Sequence, residues 1–220
     1  MKKIIYGVYG NSGFGREVFP VLINQLDKNL ENIEDVVFVD DDPSDHKNIN
    51  YPILSYPEFL DSSYSQKKIV IAIADGYVRK KLSIKCEKDG IDPITVRAQN
   101  SLIMNNVQIG LGAVICPFVT ITSDVSIGSY FHANLYSYVA HDCVVGDYVT
   151  FAPGVKCNGN VVIGDHAYIG TGAMIKQGTT SKPLTIGAGA IIGMGAVVTK
   201  DVPAGVTVVG NPARSINTYP

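Results

Sequence analysis

Two hydrophobic rhythms divide this chain. Over residues 3–96, apolar runs alternate with segments of helical spacing. KIIYGVYG (3–10) has the apolar density of a buried strand and runs into a glycine turn, and REVFPVLINQL (16–26) carries apolar residues at helical intervals with Pro20 in its first turns. VVFVDDDP (36–43) predicts a second strand ending in acids, and KIVIAIAD (68–75) a third. The third strand leads into a helix over YVRKKLSIKCEKDG (77–90), which Gly90 ends as its C-terminal cap. Strand alternating with helix predicts a parallel sheet of βαβ units.

From about residue 100 the period becomes six. Every sixth position from Ile103 to Ile175 reads Ile, Ile, Ile, Ile, Ile, Ala, Val, Val, Phe, Cys, Ile, Ile, Ile, so 10 of 13 are Ile or Val. Ile and Val together fill 50 of 220 positions, so chance would place about three there. A second comb, offset by four, runs from Val107 to Ala173 and is apolar at every tooth except Ser137. After Ile175 the phase slips through KQGTTSKPLT and resumes at Ile186, Ile192 and Val198, which predicts a loop bulging from one corner. Glycines follow the comb at 110, 128, 146, 164, 170, 187 and 193, where tight corners favour a residue without a side chain. Period six is neither helix nor meander; it predicts short strands stacked coil on coil, with like positions buried in ladders down one axis.

Composition narrows the partners. A chain of 220 residues holds one large domain or two modest ones, and either buries enough surface to fold without disulfides or metal. Net charge is −2 with scattered Lys and Arg, which excludes a nucleic-acid footprint or a membrane-binding face. The longest apolar runs, IVIAIA (69–74) and AIIGMGAVV (190–198), fall short of the ~18 residues of a membrane span. The N-terminus lacks the apolar core of an export signal, so a soluble cytoplasmic protein is expected. Cys86, Cys116, Cys143 and Cys157 have no CxxC spacing and no paired histidines, so they read as reduced thiols rather than a zinc site, and no metal is expected.

Candidate chemistry falls at two places. Gly10, Gly13 and Gly15 let the turn after the first strand bring backbone N–H groups and a helix N-terminus against a diphosphate. The glycines run G-x-x-G-x-x-G-x-G over 7–15, a poor fit to the nicotinamide fingerprint. Asp40 and Asp41, ending the second strand, are placed to accept from a ribose or a base edge, and Arg79 to reach phosphate oxygens; the plainer reading is a solvated turn and an exposed helix face. In the solenoid, SYVAHDCVVG (137–146) sets His141 third in its hexad, away from both inward combs and near a corner. Asp142 follows directly, but neighbours on a strand point to opposite faces, so it reaches the ring only around a corner or across a subunit boundary.

Hexads of the form Ile/Val-Gly-x-x-Val/Ala-x resemble the left-handed parallel β-helix of hexapeptide-repeat acyltransferases, in which three hexads make a coil; sixteen here imply about five coils, usually in a homotrimer. GNSGFGREV (10–18), FVDDDP (38–43) and AIADGYVRKKL (72–82) resemble the N-terminal domain of the sialic-acid O-acetyltransferase-like group, which includes N-acetyltransferases of nucleotide-linked 4-amino-4,6-dideoxy sugars. YSYVAHDCVVGDYVTFAPGVKCNG (136–159), IGAGAIIGMGAVV (186–198) and the tail KDVPAGVTVVGNPAR (200–214) are similar to the perosamine branch, with the viosamine branch close by.

The resemblance implies a Rossmann-like sugar-nucleotide-binding domain over 1–98, a left-handed β-helix acetyltransferase domain over 99–210 and a tail over 211–220. It implies acetyl-CoA as co-substrate and acetylation of a 4-amino group on a GDP- or dTDP-linked sugar for O-antigen or glycan synthesis; alternatives are sialic acid O-acetylation and a non-catalytic solenoid scaffold. His141 becomes the catalytic base and Asp142 its orienter, with histidine chemistry suited to deprotonating an amine near neutral pH. Gly10, Asn11, Ser12, Gly13, Phe14, Gly15, Asp40, Asp41, Asp75, Arg79, His132 and Asn134 become the substrate set. Thr150 stands where some relatives carry a second histidine; with Gly159, Thr171, Gly193, Pro212 and Arg214 it makes up the coenzyme set.

Overall fold

The computed structural model describes residues 4–26, 35–42 and 50–216. Met1 to Lys3, Pro43 of the second predicted strand and the last four residues of the expected tail lie outside them.

The N-terminal region is a five-stranded, all-parallel sheet, order β3-β2-β1-β4-β5, made of β1 (Ile4–Tyr9), β2 (Val36–Val39), β3 (Ile53–Leu54), β4 (Gln66–Ile71) and β5 (Asp92–Pro93). Its helices are α1 (Gly13–Leu26), α2 (Tyr56–Asp61) and α3 (Gly76–Lys88). α1 begins three residues before the predicted helix, because the glycine turn itself coils, and it buries Val18, Phe19, Leu22 and Leu26. α2 was not expected from the apolar pattern. It is short and set by its cap: the Ser55 side chain accepts from the Glu58 N–H while the Glu58 side chain accepts from Ser55 N–H, a capping box. α3 ends at Lys88 with Asp89 as its C-terminal cap, and Gly90 follows with φ of 73°.

The second region is a parallel β-helix of three faces. Strands one coil apart pair in parallel at a step of 18 residues, as Tyr138 with Lys156 and Val139 with Cys157. Both combs point inward: Ile115, Ile121, Val139 and Ile163 of the first and Val119, Val149, Val155 and Val161 of the second are each at most 2% exposed. Each such side chain contributes about 1.5–3 kcal/mol by leaving water. Ser137, the polar tooth, is satisfied inside by donating to Ala152 O at 3.0 Å and accepting from Val155 N–H. The solenoid starts at Val96–Arg97, which pairs with Val114–Ile115 before the expected boundary at residue 98. At the other end Arg214–Ser215 pairs antiparallel with Thr207–Val209, so the tail opens as a strand folded back on the last coil.

The glycines after the comb do a different job from the one predicted. A Cβ on Gly128 would lie 2.7 Å from the Gly146 carbonyl carbon, so glycine is needed for close stacking between coils. The left-handed φ of the corners falls on other residues, among them Phe118, Tyr130, Tyr136, Asp142, Tyr148 and His166. At one corner these side chains stack as Tyr130, Tyr148 and His166, and Tyr77 of α3 closes the column at 4.3 Å from His166.

Candidate active site

At the end of β1 the chain makes the glycine turn. Gly10 has φ of 102° and its N–H donates to Val39 O, while a Cβ on Gly15 would overlap the Gly10 carbonyl oxygen, so both positions demand glycine. Asp40 shapes this turn from β2: Oδ2 accepts from Asn11 N–H at 3.0 Å and Oδ1 from Asp42 N–H at 3.0 Å. Asp41 accepts from the Tyr9 hydroxyl at 2.8 Å and stays half-exposed or more. α1 has no acid in its first turn, Gly13 has open space around it and Ser12 is exposed, so the positive helix end faces outward, with the Asp40 carboxylate beside it on Asn11 N–H. Residues 10–15, Asp40 and Asp41 therefore come together, as the sequence predicts.

Four other predicted substrate or coenzyme contacts are corrected. Asp75 caps α3, accepting from Tyr77 and Val78 N–H. Arg79 is not on an exposed helix face; it is fully buried between the two regions. Its guanidinium donates to the carbonyls of Ile73, Ala74, Tyr130, Tyr148 and Val149 and to Thr150 Oγ1, and burial pulls it down to about 9, which still leaves it charged at neutral pH. Thr150 is buried there too and donates to Ala74 O at 2.7 Å, so its hydroxyl joins the regions and does not face a coenzyme. His132 is 1% exposed against Phe14, with ring centroids 5.2 Å apart. Neither ring nitrogen makes a hydrogen bond, and burial, with the Arg79 charge nearby, holds it well below the ordinary histidine value and neutral.

His141 lies at another corner of the solenoid, open to solvent. Its Nδ1 is 2.7 Å from Asp142 Oδ2, and the two side chains are 60% and 52% exposed. Asp142 turns the corner by taking φ of 57°, a left-handed conformation its short polar side chain tolerates, so the carboxylate swings back to the ring within the same subunit. Nδ1–H donating to the carboxylate fixes the tautomer and leaves the Nε2 lone pair free. Gly159, one coil on, is the floor beneath the ring: a Cβ there would lie 2.6 Å from Cε1 and 2.7 Å from Nε2. Gly178 N–H donates to Gly159 O at 3.0 Å, and the Gly159 N–H has no hydrogen-bond partner among the described residues. Adding the coil length of 18 to 141 is the signal that finds Gly159 as the neighbour of the histidine rather than a distant coenzyme contact.

The remaining coenzyme and sugar candidates scatter. Asn134, Thr171 and Gly193 sit on a third corner, the Asn134 Oδ1 accepting from Leu135 N–H. Pro212 follows a cis peptide, and Arg214 lines a cavity of about 450 Å³ at the last coil. Within one chain none of these meets His141. All four cysteines are buried; burial pushes Cys86 up to about 11 and Cys116 to about 12, and Cys157 is raised by its hydrogen bond with Cys143, while that same contact lowers Cys143. Among the described residues no cluster of three or more His, Cys, Asp or Glu could hold a metal, and no helix is long and apolar enough to cross a membrane.

Residues 6–86 match the PglD N-terminal domain family. Over 216 residues, 98% of both chains, the sequence is 52% identical to GDP-perosamine N-acetyltransferase of Escherichia coli O157:H7. The fold superposes on WeeI from Acinetobacter baumannii AYE with a TM-score of 0.94 at 57% identity, covering 97% of this chain and 100% of that one. It also superposes on PerB from Caulobacter crescentus, solved in complex with CoA and GDP-perosamine, with a TM-score of 0.84 at 26% identity and 96% coverage of each chain. The chain thus belongs to the family of sugar N-acetyltransferases that includes GDP-perosamine N-acetyltransferase.

Proposed function

We propose that this enzyme transfers the acetyl group of acetyl-CoA to the 4-amino group of GDP-perosamine or a close GDP-linked 4-amino-4,6-dideoxyhexose, in glycan synthesis. The observation that carries the reading is the His141–Asp142 pair with its free Nε2, in a chain 52% identical to a GDP-perosamine N-acetyltransferase. The sugar amine attacks the thioester carbonyl, the C–N bond forms and the amine proton passes to His141 Nε2. Asp142 stabilises the imidazolium that results. The oxyanion of the tetrahedral adduct is met by the unpartnered N–H of Gly159. Collapse breaks the C–S bond, and the thiolate of CoA leaves with the proton returned by His141.

The division of labour follows the two regions. Residues 1–98 hold the sugar nucleotide, with its diphosphate against the 10–15 turn and α1 and with Asp40 and Asp41 beyond it; residues 99–210, a left-handed solenoid, carry the transfer. A homotrimer is supported by the separation of Asn134, Thr171 and Gly193 from His141 within one copy, and by exposed apolar side chains such as Leu102, Phe118, Tyr136 and Met174. A thioester donor and four free cysteines support a cytoplasmic setting.

A thiol-release assay with acetyl-CoA across GDP-perosamine, dTDP-viosamine and the corresponding UDP amino sugar tests the reading. Turnover is expected to be highest with GDP-perosamine. Highest turnover on another nucleotide would overturn the nucleotide assignment, and none on any amino sugar would overturn the reaction.

A further inference from the structure

Two inward ladders flank the corner that carries His141. One places Cys157 between Val139 and Ile175, and the other places Cys143 between Val125 and Val161. From residue 103 to residue 198 every other tooth of both ladders is Ile, Val or Leu. Only on the coil of His141 and on the next, the coil of Gly159, does the core behind this corner offer a side chain that can donate a hydrogen bond. Both thiols are fully buried, so a branched aliphatic would fill either place equally well if packing alone set the choice.

The two thiols meet at one atom. Cys143 Sγ is 3.2 Å from the Asn158 carbonyl oxygen and Cys157 Sγ 3.8 Å, and among the described residues no other donor reaches that oxygen. Cys143 Sγ also lies 3.6 Å from His141 O, and the Cys157 S–H donates to the Cys143 sulfur, so the thiols form a short chain that ends on the carbonyl. Asn158 O shares a peptide plane with Gly159 N–H, and in a trans peptide the two point in opposite directions. What grips the oxygen inside the solenoid therefore aims the N–H outside it, on the side where a Cβ on Gly159 would meet the imidazole ring. The atoms on either side are fixed separately. Asn158 Nδ2 donates to Ile175 O at 2.8 Å, its Oδ1 accepts from the Tyr138 hydroxyl at 2.8 Å, and Gly159 O accepts from Gly178 N–H at 3.0 Å. The freedom left is rotation of the 158–159 plane, and the thiols remove it.

We infer that Cys143, backed by Cys157, is a positioning residue for the acetyl transfer: its S–H holds the Asn158 carbonyl so that the Gly159 N–H stands aimed at the oxyanion of the tetrahedral adduct. This deepens the acetyltransferase reading above and rests on it. As negative charge builds on the thioester oxygen, the Gly159 N–H is drawn toward it, electron density shifts onto Asn158 O, and the S–H bond to that oxygen strengthens. Neither thiol bonds to substrate or gives up its proton, so the sulfur of coenzyme A is the only one whose bonds the reaction changes.

The test compares Cys143→Ala with Cys143→Ser in the full-length protein. Alanine removes the donor, and kcat is expected to fall about tenfold, part of the roughly 10²–10³ that losing an oxyanion donor costs, with KM for GDP-perosamine and the pH–rate profile unchanged. Serine keeps a donor in the same place and is expected to restore kcat to within about threefold of wild type. A lowered melting temperature with wild-type kcat in the alanine variant, or a loss of kcat that serine does not restore, would overturn the inference. The amide signal of Gly159, followed by magnetic resonance with isotopically labelled glycine, reads the same peptide without turnover. It is expected to shift in the alanine variant and to return toward its wild-type position in the serine variant, and a signal unmoved by alanine sinks the inference whatever the turnover. If the wild type acetylates no amino sugar while that amide still follows the residue at 143, the acetyltransferase reading falls and the thiol-held peptide stands.

Discussion

His132 and His141 lie half a coil apart on the same solenoid, both outside its inward combs, yet they have opposite chemistry. The N-terminal region covers His132 with Phe14 and Arg79, so the ring loses its water and stays neutral. Nothing covers His141, and a carboxylate brought round by a left-handed corner holds its Nδ1. The repeat decides which way a side chain points, and what packs over that point decides what it does. One histidine belongs to the joint between two regions, and the other stands open at a corner beside a carboxylate.

Variants sharpen that contrast, beginning with the largest effect. His141→Asn is expected to lower turnover by roughly 10²–10⁴ while CoA binding, followed by calorimetry, is retained; near-normal turnover would remove His141 from the chemistry. Arg79→Met strips the donors from several buried carbonyls at the joint and is expected to reduce unfolding free energy by about 3 kcal/mol in denaturant titrations, with little effect if the joint is held elsewhere. Gly159→Ala pushes a methyl into the imidazole from below, and turnover is expected to drop about 10- to 100-fold with the melting temperature little changed.

The smallest effect concerns pH. His132 has its folded-state pKa well below 6.5, so below pH ~6.5 the unfolded chain takes up a proton that the folded chain refuses. Stability should therefore fall as pH falls, by at most about 1.4 kcal/mol per pH unit from this group. His132→Leu is expected to flatten that part of the profile between pH 7 and 5; an identical slope in the variant would show that His132 charges freely in the native state.

Much of this was legible in the sequence, and the gaps have physical causes. The six-residue comb announced the solenoid because inward positions stack on themselves, so each coil repeats the same requirement. The glycine turn was legible because Gly10 and Gly15 are required by backbone contact, which leaves a residue signature. Arg79, His132 and Thr150 were misplaced because their burial comes from one region docking on another, and no local pattern records docking. The short helix α2 hid for a different reason: its signal is the Ser55–Glu58 capping box rather than an apolar stripe. Asp142 was expected to reach the ring only around a corner or across a subunit boundary, a choice the sequence left open; alternation along a strand holds only until a corner intervenes, and its φ of 57° is that corner.

Selective labelling of the histidine rings and long-range nitrogen–proton correlation spectroscopy from pH 8 to 5 tests the central contrast most directly. The structure predicts that the neutral His141 ring carries its proton on Nδ1, leaving Nε2 as the acceptor, and that His132 takes up its proton only well below the ordinary histidine value. A neutral His141 protonated on Nε2, or a His132 that takes up a proton near pH 6.5, would contradict the account.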